Sequence, residues 1–132
     1  MKTLTTKDDI AGLVSVFYAK VRKDDILGPI FEKHIAEEEW PSHLSKLTDF
    51  WEMKLLGGRQ FRGSPSKKHI DVDRASGHTV SQEHFAHWLQ LWLDTIDETF
   101  MGPLAERAKA QARKMATGQY ISIWQNRPVT KR

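Results

Sequence analysis

Four residues of this sequence could do chemistry from apolar surroundings: Tyr18, His43, His69 and Trp88. His43 lies four residues before Leu47 and seven before Phe50, so it points with the apolar face of a helix. Tyr18 falls near the centre of a second apolar stripe, beside Phe17, and Trp88 at the centre of a third. Both carry a donor that wants a partner when buried. His69 stands apart, at the end of the basic segment in FRGSPSKKHIDVD, residues 61 to 73, with no local partner. Each of the first three, taken alone, reads as a core residue whose polar tip reaches backbone or water. Together, a Tyr, a His and a Trp converging from three helices, with a second His on a held segment opposite, describe an apolar pocket with polar tips.

Other constellations are weaker. Glu83, His84 and His87 have a spacing that can hold a metal, but they fall with Gln90 and Asp94 on the polar side of their helix, and a solvated face explains them. His34 follows Lys33 at a loop or helix end and is expected to be exposed. Lys109, Arg113 and Lys114, with Lys131 and Arg132, form a modest basic surface of the usual solubilising kind. The chain has 132 residues with 39% hydrophobic content, which fits one domain, residues 1 to 132, with a real core. Its formal charge of +3 suits an acidic ligand without demanding nucleic acid. The polar N-terminus MKTLTTKDDI is no signal peptide and no run is long enough to span a bilayer, so a cytoplasmic protein with no membrane partner is expected. The absence of cysteine excludes disulfides, thiolate metal sites and cysteine nucleophiles, and any metal must be held by His, carboxylates or a cofactor.

The elements that must position these residues are helical. Ile10, Leu13, Val14, Phe17, Tyr18 and Val21 form the first stripe, with Thr6, Asp8 or Asp9 available as cap. Asp25 to Phe31 reads as a break and a short turn that delivers Phe31 inward. Trp40, Leu44, Leu47, Trp51 and Leu55 step by three and four until Gly57-Gly58 ends the second long helix. Ser81 opens a third, carrying Phe85, Trp88, Leu89, Trp92, Leu93, Ile96 and Phe100. Pro103 suits the first turn of a fourth, which carries Leu104, Ala108, Ala112, Met115, Tyr120 and Ile123. Between Arg59 and Thr79 the chain reads as a long connection holding a helix of only a turn or two around His69, with Ser64 or Ser66 as cap and loop from Asp71 onward. Such a helix does not persist alone in water, so something outside it must hold it. Connections of this length usually serve a binding purpose.

At these residues the chain resembles the truncated haemoglobins, and within them the third group. The likeness runs through FYAKVRKDDILGPIF (17 to 31), EEEWPSHLSKLTDFW (37 to 51), SPSKKHI (64 to 70) and HFAHWLQLW (84 to 92). It implies an all-α, shortened two-over-two globin fold around a non-covalent haem b, with a long loop before and around a short proximal helix. Carried over by position, His69 matches the proximal iron ligand, His43 the distal histidine, and Phe31 the phenylalanine that stacks on the porphyrin. Tyr18 and Trp88 match the distal hydrogen-bonding pair, Leu47 lines the cofactor, and Lys46 matches a residue that reaches toward a propionate. His78, in a loop from Asp71 to Ser81 that looks longer than the family pattern, has no counterpart.

The chemistry agrees with the resemblance. A porphyrin gives iron four nitrogens, so the protein need supply only one axial imidazole. An iron–nitrogen bond would then order the segment carrying His69, with Lys67 in solvent and Lys68 either in solvent or at the propionates. On the other face O2, NO or CO is the expected ligand, and bound O2 takes on negative charge, so the Tyr18 O–H and Trp88 N–H are well chosen as donors, while His43 has three open roles: donor, gate or direct iron ligand. Firm retention of oxygen opposes bulk oxygen transport and favours ligand chemistry, such as nitric oxide dioxygenation or peroxide handling, with a reductase partner to keep iron ferrous. The competing class is a non-haem helical binding module that uses the basic surface for nucleic acid or an acidic partner. A porphyrin absorption band separates the two.

Overall fold

The computed structural model describes all residues, Met1–Arg132. Six helices carry the chain: α1 (Lys7–Lys23), α2 (Gly28–His34), α3 (Trp40–Leu56), α4 (Pro65–Ala75), α5 (Gln82–Thr99) and α6 (Pro103–Gln125). A short parallel pairing of β1 (Lys2–Thr3) with β2 (Phe100–Met101) ties the N-terminus to the α5–α6 turn. No helix is long and apolar enough to cross a membrane.

The helix boundaries follow local chemistry. Thr6 caps α1, its hydroxyl accepting from Asp9 N–H at 3.1 Å while the Asp9 carboxylate accepts from Thr6 N–H, also at 3.1 Å. Gly57 ends α3 in the left-handed region at φ 73°, where a side chain is disfavoured. Pro103 sits in the first turn of α6 directly after Gly102.

Packing is two-over-two. α1 lies on α3, α5 lies on α6, and the pairs meet where α1 crosses α5 and α3 crosses α6. Ile10, Leu13, Val14, Phe17 and Val21 of α1 are completely buried at that crossing, as the first stripe requires. Trp51 of α3 stacks on Trp92 of α5 with ring centroids 4.5 Å apart. Ala105, Ala108 and Ala112 are small enough to bring α6 close to α5, and the buried Trp92 indole donates to the Ala108 carbonyl at 3.3 Å.

The segment around His69 departs from its sequence reading. α4 is 11 residues long, three turns rather than one or two, and it continues through Asp71-Val72-Asp73 to Ala75. Ser64 is the cap, accepting from Lys67 N–H at 3.2 Å. The remaining connection is correspondingly short: the helix stops at Ser76-Gly77, with Gly77 at φ 72° and His78 at φ 64°. The polar run Asp71 to Arg74 suggests loop, but Asp73 faces inward and is only 2% exposed because partners distant in sequence receive it.

Candidate functional site

One aromatic cluster is built by α1, α2 and α3. Tyr18 is 5% exposed, and its ring touches Phe17, Phe31, Trp40 and His43 at centroid separations of 4.8, 5.8, 6.0 and 5.9 Å. Trp40 packs edge-on against His43 at 5.3 Å. Trp88 of α5 reaches the same group through Phe17, at 5.9 Å. Burial pushes the Tyr18 phenol up to about 12, with the Trp88 side chain acting in the opposite sense. Tyr18 is therefore a neutral hydroxyl at ordinary pH, a donor rather than a charge. Outside the cluster, a surface cavity of about 260 Å³ lined by Arg22, Glu37 and Trp40 shares only the tryptophan with it.

His43 carries the most informative atom in the molecule. Its Nε2 is the buried side-chain nitrogen or oxygen that has no hydrogen-bond partner. Such a group costs about 1–3 kcal/mol of stability, and buried polar atoms are normally satisfied. Burial lowers the pKa of this imidazole, and the nearby cations Lys46 and Lys68 lower it further against the opposing effect of Glu39. The neutral form is thus favoured. Lys46 and Lys68 are both exposed, on different helices, and each is close enough to act on the charge of His43. Lys67 is exposed as expected.

His69 lies on α4, packed edge-on against Phe85 of α5 at 5.6 Å. Its Nδ1 is 3.0 Å from Oε1 of Gln119 on α6. With an amide oxygen as partner, Nδ1 carries the proton and donates, which leaves the Nε2 lone pair available to a metal. Burial lowers this imidazole's pKa too, with the Gln119 bond opposing, so it favours the neutral state that metal coordination needs. The donor set therefore fits an iron porphyrin: one imidazole nitrogen oriented by a second residue, half-buried apolar side chains that include Phe31 and Leu47, and two exposed lysines near His43.

The structure brings Tyr18, Phe31 and His43 together with Trp88 nearby, and places His69 on a separate helix. Gln119 escaped the sequence reading although a signal existed. It falls on the stripe of Ala112, Ala116 and Ile123, and a polar residue on an apolar face calls for a partner. The His84 and His87 pair is explained by structure rather than by solvation alone. His84 Nδ1 accepts from Ser81 N–H at 2.9 Å at the start of α5, and His87 Nε2 meets Asp24 at 2.6 Å across to the end of α1. No group of three or more His, Cys, Asp or Glu side chains could hold a metal ion. The expected basic surface is thinned as well, because Lys109 is paired with Asp97 and Glu106.

No protein-family model matches the sequence. The chain is 41% identical over 93 residues, 69% of either chain, to a Campylobacter jejuni protein named group 3 truncated hemoglobin ctb. The fold superposes on the crystal structure of a group III truncated hemoglobin from Campylobacter jejuni with a TM-score of 0.84 and 32% sequence identity, covering 97% of this chain and 99% of that one. The resemblance first carried by short motifs thus extends through the helices that build both halves of the site, and the chain belongs to the third group of the truncated haemoglobins.

Proposed function

We propose that residues 1–132 act as a single haem b domain that binds O2, NO and CO, and that the distal side is built for ligand chemistry rather than for bulk oxygen delivery. The observation that carries this is the unpartnered, buried Nε2 of His43 beside a neutral, buried Tyr18. Leaving such a nitrogen unsatisfied makes sense where a ligand supplies what the protein withholds.

When bound, ferrous haem supplies a coordination position at which a diatomic ligand gains partial negative charge. His69 would hold the iron from one side through Nε2, its ring orientation fixed by Gln119. The Tyr18 hydroxyl would donate to the ligand, with the Trp88 indole and His43 as further donors. Three donors on one ligand would restrain its release, which would suit nitric oxide dioxygenation or peroxide handling with electrons from a reductase. Lys46 and Lys68 would meet the propionates, and Phe31 and Leu47 the ring. The aromatic lining excludes water from the donors and strengthens each of them.

The test is reconstitution of the full chain with haemin, followed by spectra of the ferric, ferrous and carbon monoxide forms. An intense porphyrin band that shifts on adding carbon monoxide is expected. A chain that leaves haemin unbound would end the globin chemistry proposed here, whatever its fold.

A further inference from the structure

α4 has no long apolar face of its own, yet its buried residue is a carboxylate. Asp73, one helical turn after His69, receives four side-chain or backbone donors: Arg127 Nε at 3.0 Å and Nη2 at 2.8 Å, His78 Nδ1 at 3.0 Å and Val80 N–H at 3.1 Å. Arg127 also donates to the Val80 carbonyl. The guanidinium is thus bidentate on the carboxylate, the geometry that gives an ion pair direction as well as strength. Arg127 follows the end of α6, so the pair joins α4 to the C-terminal end of the helix that also carries Gln119. His69 and Asp73 are four apart on α4, and Gln119 and Arg127 eight apart at the other side, so both bonds lie along one seam. An aromatic relay closes the same seam. Arg127 lies over the Tyr120 ring at 6.0 Å, Tyr120 meets Phe85 at 6.3 Å, and Phe85 packs on His69.

We infer that Asp73 and Arg127 are positioning residues for His69: their buried ion pair anchors α4 against α6 before any cofactor binds and sets the depth and tilt of the axial imidazole. The inference rests on His69 being the iron ligand, but the anchor itself makes a claim about the haem-free chain. A segment held only by an iron–nitrogen bond would fray without iron. One held by Arg127 keeps its hydrogen bonds.

Two measurements test this. In the haem-free wild type, amide exchange across α4 should be slowed by at least about tenfold relative to unstructured chain, and Arg127→Met should abolish that protection while leaving α1 and α5 protected. In the haem-loaded protein, Arg127→Met should speed haem loss by about tenfold or more and displace or broaden the iron–histidine stretching band. Leu13→Ala, in the α1 core, serves as a control for general destabilisation and should leave that band in place. Asp73→Asn keeps the side-chain shape and removes the charge, and should give a smaller change in the same direction; it stands in if Arg127→Met does not fold. Unprotected α4 amides in the haem-free wild type would overturn the anchor. A band and a haem-loss rate that follow thermal stability equally in Arg127→Met and Leu13→Ala would overturn positioning. Protection of α4 in a chain that takes up no haem would keep the anchor and remove the functional reading beneath it.

Discussion

Replacing His43 by leucine should stabilise the haem-free protein. Leucine has a similar volume and leaves no polar atom in the space that Nε2 occupies, bounded by Tyr18 and Trp40. Removing an unsatisfied buried nitrogen recovers about 1 to 3 kcal/mol. Imperfect fit of a branched chain takes back part of that, so a net gain of about 1 kcal/mol is expected, or about 4 °C in the unfolding midpoint for a chain of this size. The gain should depend on pH in a fixed direction. Burial, Lys46 and Lys68 hold the folded-state pKa of His43 below its ordinary 6.5, so between the two values the unfolded chain binds more protons and stability falls as pH falls. Above about 6.5 both states are neutral and the effect vanishes. His69 contributes with the same sign and remains in the variant, so the pH dependence should shrink rather than disappear. The assay is thermal unfolding of haem-free wild type and His43→Leu, followed by far-ultraviolet dichroism, at pH 7.5 and again about two units lower. The advantage of the variant should widen at the lower pH. A lower midpoint for His43→Leu at pH 7.5, or a gap that does not change with pH, would refute the argument.

In the haem-loaded protein the same substitution should leave haem and carbon monoxide binding in place, which absorption spectra will show. Tyr18→Phe removes one hydroxyl and nearly preserves shape; loss of a bond worth roughly 1.5 to 3 kcal/mol predicts about tenfold to hundredfold faster O2 release in stopped flow, with carbon monoxide release changed much less. His69→Ala should release haem, with free imidazole in the buffer restoring part of the absorption band. Gln119→Leu leaves the His69 Nδ1 proton without its acceptor, and haem transfer to a scavenger globin should accelerate by about 10- to 100-fold.

Periodicity carried most of the fold. Apolar residues at three and four spacings marked α1, α3, α5 and α6, and Gly57 and Pro103 marked an end and a start, because these signals act within a few residues of chain. His43 was legible for the same reason: a polar residue in phase with Leu47 and Phe50 has to face inward. The metal-like spacing of His84 and His87 needed structure to interpret, since a helix cap and a bond to Asp24 use the same residue type as a metal site.

The sequence by itself determined which faces are buried and which side chains would stand in an apolar setting, since both depend on local periodicity and on the cost of burying polar groups. Tertiary structure alone decided what holds α4. Asp71-Val72-Asp73-Arg74 has the composition of a loop, and only the arrival of Arg127, 54 residues later, turns Asp73 into the buried end of a three-turn helix. The same holds for the proton on His69, fixed by an amide 50 residues away. Hydrogen bonds of that separation leave no period in the sequence, because they exist only once α4 and α6 have been brought side by side by the apolar packing that the sequence does display.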